Sequence, residues 1–181
     1  MRTIEQYAAQ YVRLGPLEFR REFGRPVLIG MGIVAELKDR SRGRTGTLRM
    51  QAVSTAVPSQ SLVGRVWLVT KGDNGPKGPA IQGGRASNND IVVPEFTISN
   101  THFQMRYEAT RLVVIDMGST NGTYVNGERI EPGTRVPLVA GANLVFGRYQ
   151  FEFLPAQAFV KMVADLTGQP EDAPVEVRGS R

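Results

Sequence analysis

Between Asp116 and Gly127 the chain reads DMGSTNGTYVNG, which sets Ser119, Thr120 and Asn121 among glycines. Gly118, Asn121, Gly122, Asn126 and Gly127 are of the types that reach positive φ cheaply, so the backbone must turn sharply twice within a few residues. Ser119, Thr120 and Asn121 offer more hydrogen-bonding groups than a turn requires, which fits a loop that holds a polar ligand. A plain pair of β-hairpins accounts for the same stretch, with Asn126-Gly127 as the strongest short-range hairpin signal and Tyr124-Val125 as the strand leading into it. That account covers the second turn well and the first only in part.

Other chemistries are closed off by composition. The 181 residues contain no cysteine, hence no disulfide, no thiolate metal ligand and no cysteine nucleophile, which fits a reducing compartment. The single histidine, His102, rules out a His-rich metal site. Any Ser-His-Asp arrangement would depend on it alone, and no nucleophile motif accompanies it. GDNGPKG, from Gly72, lacks the glycine-lysine-hydroxyl spacing of a phosphate-binding P-loop and reads as a flexible turn. The expectation is a protein that is not an enzyme, with no metal and no cofactor.

The net charge of +5 is unevenly placed: residues 1–60 carry 10 Lys/Arg against 5 Asp/Glu, and residues 61–155 carry 9 against 8. A basic first third could meet nucleic acid, but KDRSRGRTGTLR has none of the interleaved aromatics that stack on bases, so nucleic-acid binding is not expected. The longest apolar run, PVLIGMGIV from Pro26 to Val34, is shorter than the roughly 20 residues a membrane-spanning helix needs. It also sits too far inside the chain for a secretory signal. No membrane insertion is expected, and the location reads as cytoplasmic.

These residues must be positioned by a β-rich fold. From Val63 onward short apolar runs alternate with turn residues: RVWLVT, DIVV, HFQMRYE, RLVVID, TYVNGERI, TRVPL, NLVFG and YQFEF. Nothing there has helical period, and strands at this spacing predict an all-β antiparallel sandwich or barrel. Before it, Ile4, Tyr7, Ala8, Tyr11 and Val12 share one helical face and Thr3 with Gln6 matches a capping box. Gly15-Pro16 should stop that helix, a second short one should follow to Phe23, and the apolar run to Val34 should be a buried strand paired with GTLRMQAV. Residues 54–62 read as a linker. Pro155 to Thr167 predicts a closing helix with Phe159, Val160, Val163 and Leu166 on one face. The expected divisions are a helix-and-strand extension over 1–60, a sandwich over 61–154, a helix over 155–168 and a disordered tail over 169–181. The apolar surface of the extension should pack on the sandwich or on a second copy.

Three stretches of the β region, GGRASNNDIVV from Gly83, ISNTHFQM from Ile98 and GSTNGTYVNG from Gly118, resemble in order and spacing the forkhead-associated domain of the bacterial type. That family is a phosphothreonine-reading β-sandwich, and the resemblance covers roughly residues 63 to 154. It implies phosphate contacts at Arg85, Ser99, Asn100 and Thr120 and a contact from Asn121 to the peptide main chain. It also implies structural roles for Gly84, Gly122 and His102, the last as a buried brace between loops. The physics agrees, because a phosphate dianion needs a planar fork of donors from arginine plus hydroxyl and backbone donors. Gly83 and Gly84 would let the loop bend so that Arg85 points over the mouth of the sandwich. Two positions depart from the commoner pattern: Asn100 stands where a basic residue is usual, and Gly83 where an apolar one is. The implied partner is a threonine-phosphorylated protein or peptide downstream of a Ser/Thr kinase. The alternative is a phosphate-independent scaffold that uses the N-terminal segment as its interface.

Overall fold

In a computed structural model, residues 1–34 and 62–169 are described, and they form twelve strands and two helices. One sheet runs, edge to edge, β1 (Arg2–Thr3), β3 (Arg65–Leu68), β2 (Val27–Ile33), β12 (Tyr149–Leu154), β11 (Ala142–Phe146), β8 (Thr123–Val125) and β9 (Glu128–Arg129). The other runs β10 (Arg135–Pro137), β7 (Arg111–Asp116), β6 (Phe103–Glu108), β4 (Ile81–Gly84) and β5 (Ile91–Val92). The expected partner strand GTLRMQAV, most of the linker, the 60/61 boundary and nearly all of the tail lie outside the described residues.

The strands expected from the alternating runs are present, with one correction to the all-antiparallel arrangement. β4 and β5 pair in parallel, Gly83 with Ile91 and Gly84 with Val92. Parallel neighbours usually need a long crossover. Here a compact loop suffices because Asn89, buried inside it, donates from Nδ2 to the carbonyls of Ala86 (2.8 Å) and Asn100 (2.7 Å) and brings the chain back alongside itself. β4 itself was not expected, since Ile-Gln-Gly-Gly has little strand propensity.

The inner faces of the two sheets enclose one core, built from Leu28, Trp67, Phe103, Val114, Leu144, Phe146 and Phe151 among others. Phe103 and Phe146 come from opposite sheets and stack at 4.0 Å with their planes 12° apart. A second core lies on the far side of the seven-stranded sheet, where Val27, Ile29 and Val66 meet the two helices. β2 is therefore buried on both faces, and this is why its residues read as an unbroken apolar run rather than an alternation. Its neighbours are β3 and β12.

α1 (Ile4–Phe23) begins with the expected capping box, in which the Thr3 hydroxyl accepts from the Gln6 N–H and the Gln6 side chain accepts from the Thr3 N–H. The element breaks at Gly15, whose φ of 75° is closed to other residues without strain, so it is two helices in sequence, as Gly15-Pro16 predicts. Tyr7, Tyr11, Phe19 and Phe23 pack against Phe159, Val160, Val163 and Ala164 of α2 (Ala156–Thr167) and against the sheet. Two residues expected on the buried faces are not there: Val12 is 56% exposed and Leu166 60%. Before the break at Gly15 the buried stripe runs through Ile4, Tyr7, Tyr11 and Leu14, which leaves Val12 at its outer edge, and on α2 Ala164 takes the inward position.

Candidate functional site

Three connections meet at one end of the sandwich: the loop after β4, the segment leading into β6, and the loop after β7. β4 reaches this end through Gly83 and Gly84, β6 starts there at the fully buried Phe103, and β7 ends there at Asp116, 1% exposed. Arg85 leaves β4 with its N–H on the Ser99 carbonyl (2.9 Å), and the next N–H, of Ala86, is on the Asn100 carbonyl (3.2 Å). The Arg85 guanidinium donates to Asn100 Oδ1 at 3.1 Å; its remaining donors have no partner among the described residues, and the side chain is exposed. The Ser99 hydroxyl accepts from the Thr120 N–H (3.1 Å) and lies 3.4 Å from the Thr120 hydroxyl. Arg85, Ser99, Asn100 and Thr120, 35 residues apart at the extremes, thus share one surface. They present a fork of cationic donors, two hydroxyls and an amide.

Asn121 stands beside this group in a different setting. Its Nδ2 donates to the Thr97 carbonyl at 2.7 Å, which leaves Oδ1 as an acceptor without a partner among the described residues. It does not adopt positive φ, whereas Gly118 (74°), Gly122 (80°), Asn126 (52°) and Gly127 (84°) do. Asn126-Gly127 forms the two-residue turn of the β8–β9 hairpin.

Beneath the loops lies His102, fully buried against Phe103 and Phe146. Its Nδ1 accepts the Ser99 N–H at 3.0 Å, which places the ring proton on Nε2, and Nε2 donates to the Gly122 carbonyl at 3.2 Å. Burial holds its pKa below 6.5 against the opposing charge of Asp116 and the Gly122 hydrogen bond. Both ring nitrogens are thus committed to backbone groups of two different loops.

The glycines of β4 serve close packing rather than bending, which corrects the expectation for Gly83 and Gly84. A Cβ on Gly83 would stand 2.1 Å from the Phe103 ring, and one on Gly84 2.3 Å from the Asn100 carbonyl oxygen. A side chain on Gly84 would push β4 away from the segment that carries Ser99 and Asn100, and one on Gly83 would have to displace the Phe103 ring.

Several positioning residues were not legible in the sequence. Asp116, almost wholly buried, accepts from the N–H groups of Gly118 and Ser119 through Oδ1 (2.9 Å each). Through Oδ2 it accepts from the hydroxyls of Ser119 (2.5 Å) and Thr123 (2.6 Å). It thereby shapes the loop that carries Thr120. Burial works to raise its pKa, but the bonds from Ser119 and Thr123 outweigh burial and keep it ionised below the ordinary carboxylate value. Asp90 does the same for the loop before β4, accepting from the Gly72 N–H (2.9 Å), the Gln82 N–H (2.8 Å) and the Lys71 ammonium (2.8 Å). Their turn-forming neighbours, Met117-Gly118-Ser119 after Asp116 and Asn88-Asn89 before Asp90, are the signal that could have found these two.

Residues 81–147 match the FHA domain family model, a span that contains Arg85, Ser99, Asn100, His102, Thr120 and Asn121. The chain carries an FHA domain. The match opens at β4 and closes at the turn between β11 and β12, so β1, β2, β3 and β12 complete the seven-stranded sheet from outside it. Among curated proteins, the chain is 34% identical over 76 residues to the glycogen accumulation regulator GarA of Mycolicibacterium smegmatis, covering 42% of this chain and 46% of that protein. It is 34% identical over 80 residues to the oxoglutarate dehydrogenase inhibitor of Corynebacterium efficiens, covering 44% of this chain and 54% of that one. The chain therefore spans about half the length of the curated relatives it matches. A solved structure from work on phosphothreonine-dependent FHA domain interactions overlays with a TM-score of 0.45 at 17% identity, over 71% of this chain and 94% of the other. Among the described residues no helix is long and apolar enough to cross a membrane, and no cluster of His, Asp and Glu could hold a metal ion.

Proposed function

We propose that this FHA domain binds threonine-phosphorylated proteins and so acts in the cytoplasm downstream of a Ser/Thr kinase. The observation that carries the reading is the convergence of Arg85, Ser99, Asn100 and Thr120 on one loop surface with the guanidinium donors exposed. On this reading Arg85 grips two phosphate oxygens, the hydroxyls of Ser99 and Thr120 and the amide of Asn100 take the rest, and Asn121 meets the peptide main chain. Two curated relatives are named as a regulator and an inhibitor, which fits a binding role. The one imidazole, tied by both nitrogens to backbone, is a brace rather than a general base. The packing of α1 on α2 also favours this reading over a scaffold whose N-terminal helix is the interface, because that helix already spends its apolar face within the chain. The same packing supports a domain that begins with β1 rather than after residue 60.

Titration calorimetry against phosphothreonine peptides randomised around the phosphorylated residue tests the reading, with the unphosphorylated pool as control. Arg85→Ala should abolish the phosphate-dependent binding and leave stability unchanged, and Arg85→Lys should restore part of it, since lysine keeps the charge without the fork. Ser99→Ala and Thr120→Ala should each cost about 1–3 kcal/mol. Equal binding of the two pools, or wild-type binding by Arg85→Ala, would refute it.

A further inference from the structure

The segment between β5 and β6 and the turn between β11 and β12 come from opposite sheets, yet a buried ion pair ties them together next to Asn121. Glu95, with 3% of its side chain exposed, accepts from the Arg148 guanidinium at 3.1 Å, and Arg148 itself is only 16% exposed. The other oxygen of Glu95 accepts from the Thr97 N–H (2.8 Å) and the Thr97 hydroxyl, and that hydroxyl in turn accepts from the Arg148 N–H (3.3 Å). The guanidinium also lies over the Phe96 ring, 4.8 Å from its centroid. Gly147 presses on the same residue, for a Cβ there would stand 2.5 Å from the Thr97 carbonyl oxygen. Every polar group of Thr97 is therefore held from the Arg148 side except its carbonyl, and that carbonyl accepts from Asn121 Nδ2 at 2.7 Å.

An isolated carboxylate or guanidinium is costly to bury, and a buried pair is retained most intelligibly where it fixes a geometry. The geometry fixed here is that of a side-chain amide. An asparagine amide can rotate to exchange its donor and acceptor ends, and only a local partner decides which end faces outward. With Nδ2 committed to Thr97, the free end is the acceptor Oδ1, the atom that suits a main-chain N–H of an extended peptide. We propose that the Glu95–Arg148 pair is a positioning element of the phosphopeptide site: it sets the Thr97 carbonyl, and the Thr97 carbonyl sets Asn121 with its oxygen towards the ligand backbone. The proposal rests on the phosphopeptide reading above and adds to it two residues, 53 apart in sequence, that touch no ligand.

The test uses the full chain and two ways of disturbing the pair. Arg148→Lys keeps a cation on Glu95 but loses the planar stack on Phe96; the double variant Glu95→Gln, Arg148→Met leaves no buried charge unpaired. Each is made alone and together with Asn121→Ala, and folding is verified by urea unfolding. Without ligand, hydrogen exchange of the Asn121 side-chain amide by NMR should be slow in wild type and fast in the double variant. Affinity for the randomised phosphothreonine pool should fall about tenfold in the double variant, as for the loss of one oriented hydrogen bond, and less in Arg148→Lys. In the Asn121→Ala background the same substitutions should cost nothing further, because their route to the ligand is already cut. An equal loss in both backgrounds would make the pair a purely structural feature and overturn the proposal, as would unchanged affinity in a folded double variant. If wild type binds the phosphorylated and unphosphorylated pools alike, the phosphopeptide reading falls and the proposal with it, while the exchange measurement still reports separately whether the pair orients Asn121.

Discussion

Replacing His102 by alanine should destabilise the protein by about 3–5 kcal/mol, a large share of the roughly 5–15 kcal/mol that holds a domain together. Two contributions make up this figure. The Ser99 N–H loses the Nδ1 acceptor at 3.0 Å, and a buried donor left without a partner costs about 1–3 kcal/mol. The Gly122 carbonyl loses Nε2 but keeps the Gly147 N–H at 3.4 Å, so it adds little. The second contribution is the space the imidazole vacates beside Phe103 and Phe146, and large-to-small changes in a close-packed core cost about 2 kcal/mol or more. Urea unfolding followed by tryptophan fluorescence measures the loss, with the slope against denaturant unchanged if the variant still folds to the same extent. The effect also carries a pH signature. Burial holds the folded pKa of His102 below 6.5, so as the pH falls below 6.5 the unfolded chain takes up a proton there that the folded chain does not. Wild-type stability must then decline with acidification from that pH until the folded form also protonates, and His102→Ala must lack this component. The gap between the two proteins should narrow between pH 7 and pH 5. A loss below about 1 kcal/mol at pH 7, far under the cost of one orphaned buried donor, would refute the brace; so would a gap that does not change with pH.

Two further outcomes follow from the packing of the loops. Gly83→Ala should lower stability by about 1–3 kcal/mol or more, since its methyl would stand 2.1 Å from a Phe103 ring that is itself clamped on Phe146; a melting temperature within a degree of wild type would count against that close approach. Asp116→Ala removes the shared acceptor of Gly118, Ser119 and Thr123, and should cost about 2–4 kcal/mol together with most of the phosphopeptide affinity, read by urea unfolding and calorimetry on the same samples.

Much of this fold is readable from one dimension because its strands carry a local signature. RLVVID, HFQMRYE and YQFEF lie where apolar runs and turn residues put them, and Asn126-Gly127 marks its hairpin without help from the rest of the chain. β4 is not readable that way, since Ile-Gln-Gly-Gly becomes a strand only because β6 offers it a partner and Phe103 leaves no room for a side chain. Val12 and Leu166 fit the period of a buried stripe, and only the placement of α1 against α2 decides which side of that stripe is covered. In the candidate site, motif order singles out Arg85, Ser99, His102 and Thr120, whose roles are those proposed above. Glu95 and Arg148 were invisible because their pairing is a fact of tertiary structure alone, with nothing local to distinguish either from a solvated charge.

The place of β2 within its sheet bears on how the chain is made. β2 ends at Ile33, but the strand that covers one of its edges along its whole length, β12, begins at Tyr149. At about 5–20 residues per second, a ribosome takes roughly 6–24 s to add the intervening stretch of about 120 residues. Throughout that interval Val27, Leu28 and Ile29, destined for burial on both faces, have neither the closing strand nor α2 to cover them. Any stop or truncation before Leu154 therefore releases a chain with an uncovered apolar strand, prone to pair with its own copies rather than to fold.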